Sequence, residues 1–254
     1  MKLRQVALVA RDLEAVVADL TAVLGIEVAY RDPGVAVFGL HNAVLPIGDT
    51  FLEVVSPTRA DASASRFLER RGGDGGYMAI FQCDDLDAER RRVADLGLRV
   101  VWSIDLPEAR TIHLHPREVG GAIVSLDSMT DPNAWHWAGP EWRSHVRTSV
   151  VARITGVTLQ ASDRQALARR WAALLQRPAV TSATGALEIC LDAGRVRFEN
   201  AADGRGDGIS AVSVAVADRE RLMRSARARG IPMAEERLSI GGVRFELEDT
   251  VRDA

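Results

Sequence analysis

QVALVARDLEAVVADLTAVLGIEV, residues 5–28, compresses a strand, an aspartate and an amphipathic helix into one stretch. The first residues suit an extended strand. Asp12 then stands where a side-chain oxygen caps the first turn of a helix, and Gly25 supplies the left-handed residue that ends it. The pattern returns three times. MAIFQCDDLDAERRRVADLGLRV starts at Met78, with Asp85 as the cap and Gly97 as the stop. VTLQASDRQALARRWAALLQRPAV starts at Val157, with Asp163 as the cap and Gln176-Arg177-Pro178 in place of a glycine stop. VSVAVADRERLMRSARARGIPM starts at Val212, with Asp218 and Gly230. Four segments of matching length and punctuation are an internal repeat, which must be read before any single motif.

Each helix is followed by short strand-like runs that end in an alternating strand: TFLEVVS, GAIVSLD, VRFENA and VRFELED. The predicted unit is therefore β-α-β-β-β, placed near residues 1–57, 75–128, 151–201 and 207–249. The fold class that follows is α+β, four such units forming two paired domains with open, barrel-like sheets. The expected boundaries are 1–128 for the first domain, 129–150 for a connector, and 151–254 for a second, degenerate domain. The connector, SMTDPNAWHWAGPEWRSHVRTSV, carries Trp135, Trp137, Trp142, His136 and His145, and inter-domain packing is the role expected of it.

The chain has 254 residues, of which 47% are apolar and 26% charged, as in ordinary globular proteins. A net charge of −3 gives no basic surface for nucleic acid, and no apolar run reaches membrane-spanning length. No nucleic-acid partner and no membrane association are expected. Arg66, Arg70 and Arg71 gather in RFLERRGGDGG, and a solvated helix end is favoured over an anion-recognising rim. Cys83 and Cys190 lie far apart in strand-like runs and read as buried free thiols, which points to a reducing, cytoplasmic setting. There is no G-x-G-x-x-G after a strand, no P-loop and no G-x-S-x-G elbow.

The repeated β-α-β-β-β unit resembles the vicinal oxygen chelate superfamily, which includes glyoxalase I, methylmalonyl-CoA epimerase, extradiol dioxygenases and bleomycin-resistance proteins. HNAVLPIGDTFLEVVSP resembles the glyoxalase-like branch, and HLHPREVGGAIVSLD resembles the HP…GG strand of the epimerases. The resemblance implies a cavity with a divalent metal (Mg, Mn, Fe, Ni or Zn), held by one residue from each first strand and one from each last strand. Those positions carry Gln5 and Glu53 in the first unit, and Met78 and Ser125 in the second. Gln and Glu offer hard oxygen donors, but Met is soft and Ser a poor ligand, so a metal-free site is the alternative. The second half gives Gly156, Glu199, Ala211 and Glu246, with no histidine; a salt bridge is the role expected for those carboxylates.

Glu53 is the first choice for a catalytic group. On FLEVV, Leu52 and Val54 suit the helix side, leaving Phe51, Glu53 and Val55 for the cavity, where a carboxylate needs a cation or a partner. Met78 and Gln82 share a face and complete the expected cavity with Gln5, Phe51 and Ser125. His41 stands beside Asn42 as a cavity or metal-ligand candidate. His113 and His115, two apart, are candidates to replace the missing carboxylate, though a structural role is favoured for at least one.

Two functions follow from this reading. The first is a metal-dependent isomerase, lyase or dioxygenase with its site in the first domain. The second is a binding protein of the bleomycin-resistance kind that sequesters a small molecule. A homodimer is also expected, because the paired units of this superfamily can be completed between chains.

Overall fold

The computed structural model describes residues 1–234 and 237–250. All four repeats are present. The first contains β1 (Lys2–Val9), α1 (Leu13–Leu24), β2 (Leu40–Ile47) and β3 (Thr50–Pro57), followed by an extra helix, α2 (Ser63–Arg71). The second contains β4 (Gly75–Gln82), α3 (Leu86–Asp95), β5 (Val100–Asp105), β6 (Ala109–Leu114), the one-turn α4 (Pro116–Val119) and β7 (Ile123–Met129). The third runs β8 (Val151–Ala161), α5 (Arg164–Leu175), β9 (Ala179–Thr181), β10 (Leu187–Cys190) and β11 (Arg195–Asn200). The fourth runs β12 (Gly208–Val216), α6 (Arg219–Ala228), β13 (Met233–Ala234), β14 (Arg237–Ile240) and β15 (Val243–Asp249). The fold is α+β, with an open sheet.

The four aspartates act as the sequence implies. Asp12 accepts from the Ala15 N–H, Asp85 from Asp87 and Ala88, Asp163 from Ala166, and Asp218 from Arg221. Each satisfies a first-turn donor that has no partner within its helix. Gly25 ends α1 at φ 66°, whereas Leu96 closes α3 and Gly97 turns left-handed one residue later. Gln176, in the repeat without a glycine, adopts φ 51° itself.

The expected second strand of repeat one is absent. Asp32-Pro33-Gly34 instead starts a 3-10 turn over Pro33–Phe38, and only a single bridge, Tyr30 to Val44, stands in its place. A proline at the first turn fixes a helical φ and removes a ladder donor, which favours the turn over a strand.

By compactness the chain divides into two units. One comprises Met1–Val6, Tyr77–His136 and Gly156–Ile209; the other comprises Ala7–Gly76, Trp137–Thr155 and the described residues from Ser210 onward. The units thus gather repeats two and three, and repeats one and four, a different grouping from chain order. The expected connector is shared between them.

In the first unit, β7 pairs parallel with β4 and antiparallel with β6, which continues to β5. Repeat three is built alike, with β11 parallel to β8 and antiparallel to β10. Trp171 on α5 is fully buried, edge-on to Phe81 and Phe198, and its indole N–H donates to the Gly120 carbonyl at 3.1 Å. In the second unit β2 and β3 form a hairpin, and β15 lies parallel to β12. Helix α1 buries Leu13, Val16, Val17, Leu20, Val23 and Leu24, a stripe at helical spacing.

Two surface expectations need correction. Cys83 is buried, but Cys190, at the end of β10, is exposed. Arg66 and Arg70 are exposed on α2, yet Arg71 is buried, so that helix end is only partly solvated. Among the described residues no helix is long and apolar enough to cross a membrane.

Candidate functional site

Glu53 sits in the middle of β3, 7% exposed, directly opposite Val44 on β2. Residues paired across an antiparallel ladder project to the same side. Glu53 therefore shares its face with Asn42, opposite Val55, and with Pro46, opposite Phe51. Asn42 Nδ2 donates to Glu53 Oε1 at 2.7 Å, while Asn42 Oδ1 accepts from the Asp32 backbone N–H at 2.7 Å. The backbone bond fixes which end of the amide is oxygen, so the donor must face the carboxylate. Phe51 is fully buried, edge-on to Trp142 at 4.9 Å. His41 is exposed and pairs with Ser56, on the other side of the hairpin from Glu53. Its neighbour Asn42 occupies the position that the sequence suggested for it.

The remaining positions belong to the other unit. On the β4–β7–β6–β5 sheet, Ala79, Phe81, Ile112, Leu114, Val124 and Leu126 are all at most 1% exposed and form one packed face. The opposite face is partly polar. One row carries Ile80, Ser125, His113 and Trp102; the next carries Gln82, Asp127, Thr111 and Ile104. Met78 and Ile123 pair at its end and are half-buried. Ser125 Oγ donates to Asp127 Oδ2 at 2.6 Å, and Thr111 Oγ1 lies 2.8 Å from Ser125 Oγ. Since the Ser125 proton goes to Asp127, Thr111 must be the donor in the second bond. Gln82 Nε2 donates to the Pro132 carbonyl at 2.9 Å. Gln5 Oε1 accepts from Trp135 Nε1 at 2.7 Å, and the Arg4 guanidinium lies 5.6 Å from the Trp135 ring centre. Trp135 thus reaches a site candidate, a role sequence reasoning did not give it.

The two paired histidines have separate duties. His115 caps α4, its Nδ1 accepting from the Arg117 N–H at 3.2 Å. His113 stands opposite Ser125 and 4.6 Å from the Trp102 ring, and burial pushes its imidazole down to about 4. It is neutral at neutral pH.

The donor set does not fit a divalent metal. Gln5 Oε1 is engaged by Trp135, Ser125 is the middle of a hydroxyl chain, and Met78 offers a soft thioether where hard oxygens or imidazoles are needed. His41 points away from Glu53, and His115 is committed to a helix end. No group of three or more His, Cys, Asp and Glu side chains suited to a metal occurs among the described residues.

The matching positions of the second half offer two carboxylates and no histidine. A side chain at Gly156 would meet Arg195, 3.0 Å from its Cγ. Glu199 pairs in register with Gln160, beside Arg197, whose Nε donates to Glu188 at 3.1 Å. Glu246 lies opposite Ser213 and accepts its hydroxyl at 3.1 Å, and Ala211 pairs with Arg244.

Comparison with known proteins agrees with the repeat. Residues 6–175 match the model of the glyoxalase-like domain family. An ethylmalonyl-CoA/methylmalonyl-CoA epimerase from Cereibacter sphaeroides is 28% identical over 136 residues, covering 50% of this chain and 98% of the relative. The human mitochondrial methylmalonyl-CoA epimerase is 25% identical over 131 residues, or 50% of this chain and 73% of that protein. Among solved structures, a variant of 4-hydroxymandelate synthase from Streptomyces coelicolor superposes with a TM-score of 0.69. It is 17% identical and covers 91% of this chain and 75% of its own. The chain belongs to the glyoxalase-like domain family.

Proposed function

We propose that this protein binds a small organic molecule on the partly polar face of the repeat-two sheet, without a divalent metal. The supporting observation is the occupation of the metal positions. Gln5 is held by Trp135, Ser125 is held between Thr111 and Asp127, and Met78 is a soft donor. What the same face offers instead is an apolar border, with Met78, Ile80, Ile104 and Trp102, around a few fixed polar groups. That combination is typical of small-molecule sites. Metal analysis of protein purified without chelator, on wild type and Glu53→Ala, should find no stoichiometric ion in either. Thermal-shift measurements with aromatic probes should show stabilisation. One ion per chain in wild type that disappears in Glu53→Ala would overturn the reading.

A second reading rests on Asn42 and Glu53. A buried carboxylate beside an oriented amide is a candidate general base, and a relative that matches half of this chain is named as an ethylmalonyl-CoA/methylmalonyl-CoA epimerase. Incubation with methylmalonyl-CoA in deuterated water would then exchange the proton at carbon 2, and Glu53→Gln would abolish the exchange. No exchange with wild type removes this reading.

A further inference from the structure

We infer that Gln82 is a specificity-determining residue and that the ligand presents a hydrogen-bond donor, an N–H or O–H on a planar molecule, to its Oε1. The inference deepens the small-molecule reading above and rests on it.

Gln82 is 5% exposed, and its Oε1 has no hydrogen-bond partner. Buried amide oxygens are nearly always paired, so one that is not marks a place where a partner is expected. The orientation of the amide is fixed. Nε2 donates to the Pro132 carbonyl, and exchanging the two ends would set oxygen against oxygen there. Among the described residues no group donates to it. The paired residue is Asp127, a carboxylate, and the hydroxyls of the two rows already donate elsewhere, Thr111 to Ser125 and Ser125 to Asp127. A ligand acceptor would be repelled by this oxygen. A ligand donor would not.

The rest of the ligand is constrained by the neighbouring row. Trp102 and His113, with ring centres 4.6 Å apart, stand across the sheet from Ile80 and Ser125. His113 is uncharged at neutral pH, so this border is aromatic and apolar rather than cationic. Flat rings carrying one N–H are the simplest molecules to satisfy both rows.

The test uses indole and benzofuran, which share a shape and differ by an N–H against an ether oxygen. Isothermal titration of the full-length protein should find indole bound roughly tenfold more tightly, the ratio that one satisfied hydrogen bond gives. Gln82→Met, close in size but without the acceptor, should bind the two equally, and Gln82→Glu, which keeps an acceptor, should retain the preference. Should Gln82→Met fail to fold, Gln82→Asn, which withdraws the oxygen by one methylene, is expected to show the same loss. Equal affinity of wild type for both probes overturns the inference and leaves small-molecule binding standing. A preference that survives in Gln82→Met or Gln82→Asn also overturns it. Absence of binding by both probes overturns it as well, and the metal and probe measurements then decide the broader reading separately.

Discussion

Asn42 and Glu53, eleven residues apart on the two strands of one hairpin, are joined side chain to side chain at 2.7 Å in a buried setting. The amide is oriented by the Asp32 backbone, so Glu53 is met by a donor that cannot turn away. Replacing Asn42 by Leu removes that donor while keeping the volume. Chemical denaturation should show a loss of about 1–3 kcal/mol at pH 7, the usual size for a lost buried hydrogen bond to a charged group. An unchanged midpoint at pH 7 would show that the bond contributes nothing.

His113 predicts a pH dependence of stability. Its folded value near 4 lies below the ordinary imidazole value of 6.5, because burial disfavours the charged ring. The unfolded chain therefore binds more protons between those values, and stability falls as pH drops from 6.5 toward 4. For a ring that keeps some exposure, about 2 kcal/mol is the expected size. His113→Phe should remove that slope, and equal slopes in wild type and variant would refute the assignment.

The two thiols should separate cleanly under alkylation. Burial pushes Cys83 up to about 12, with Glu89 and Asp127 adding to the shift, whereas Cys190 is exposed. Because the thiolate is the reacting form, iodoacetamide at pH 8 should modify one site in the folded protein and two in denaturant. Mass spectrometry that finds Cys83 labelled first would contradict the burial.

Gln176 carries the left-handed turn after α5 without the freedom of glycine. Gln176→Gly should raise stability by roughly 0.5–1 kcal/mol, since a side chain in that conformation costs about 1–2 kcal/mol and glycine returns part of this as unfolded-state entropy. Denaturation at fixed pH measures it, and a destabilised variant would indicate that the Gln176 side chain makes a contribution of its own.

How far these features could be read from sequence depends on their range. The helix starts were legible because Asp12, Asp85, Asp163 and Asp218 act on N–H groups two or three residues away. The choice between His41 and Asn42 was not legible. HNAVLPIG is apolar on both sides, and nearly every residue of β2 is buried, so alternation could not set the phase. Asp127 could have been found, since it lies two residues from Ser125 on the same strand and must share its face. Trp135 could not, because 130 residues separate it from Gln5 and no local period connects them.

The parallel pairing of first and last strands has a kinetic consequence. Each such repeat must close a loop before its sheet exists: about 45 residues from Met78 to Ile123, 39 from Gly156 to Arg195, and 33 from Ala211 to Arg244. Closure entropy grows only with the logarithm of length, so the longest and shortest loops differ by about 0.3 kcal/mol. The progressive shortening of the repeats therefore sets no order of assembly. The side chains that each closing strand brings to its first strand are left to decide which repeat nucleates first.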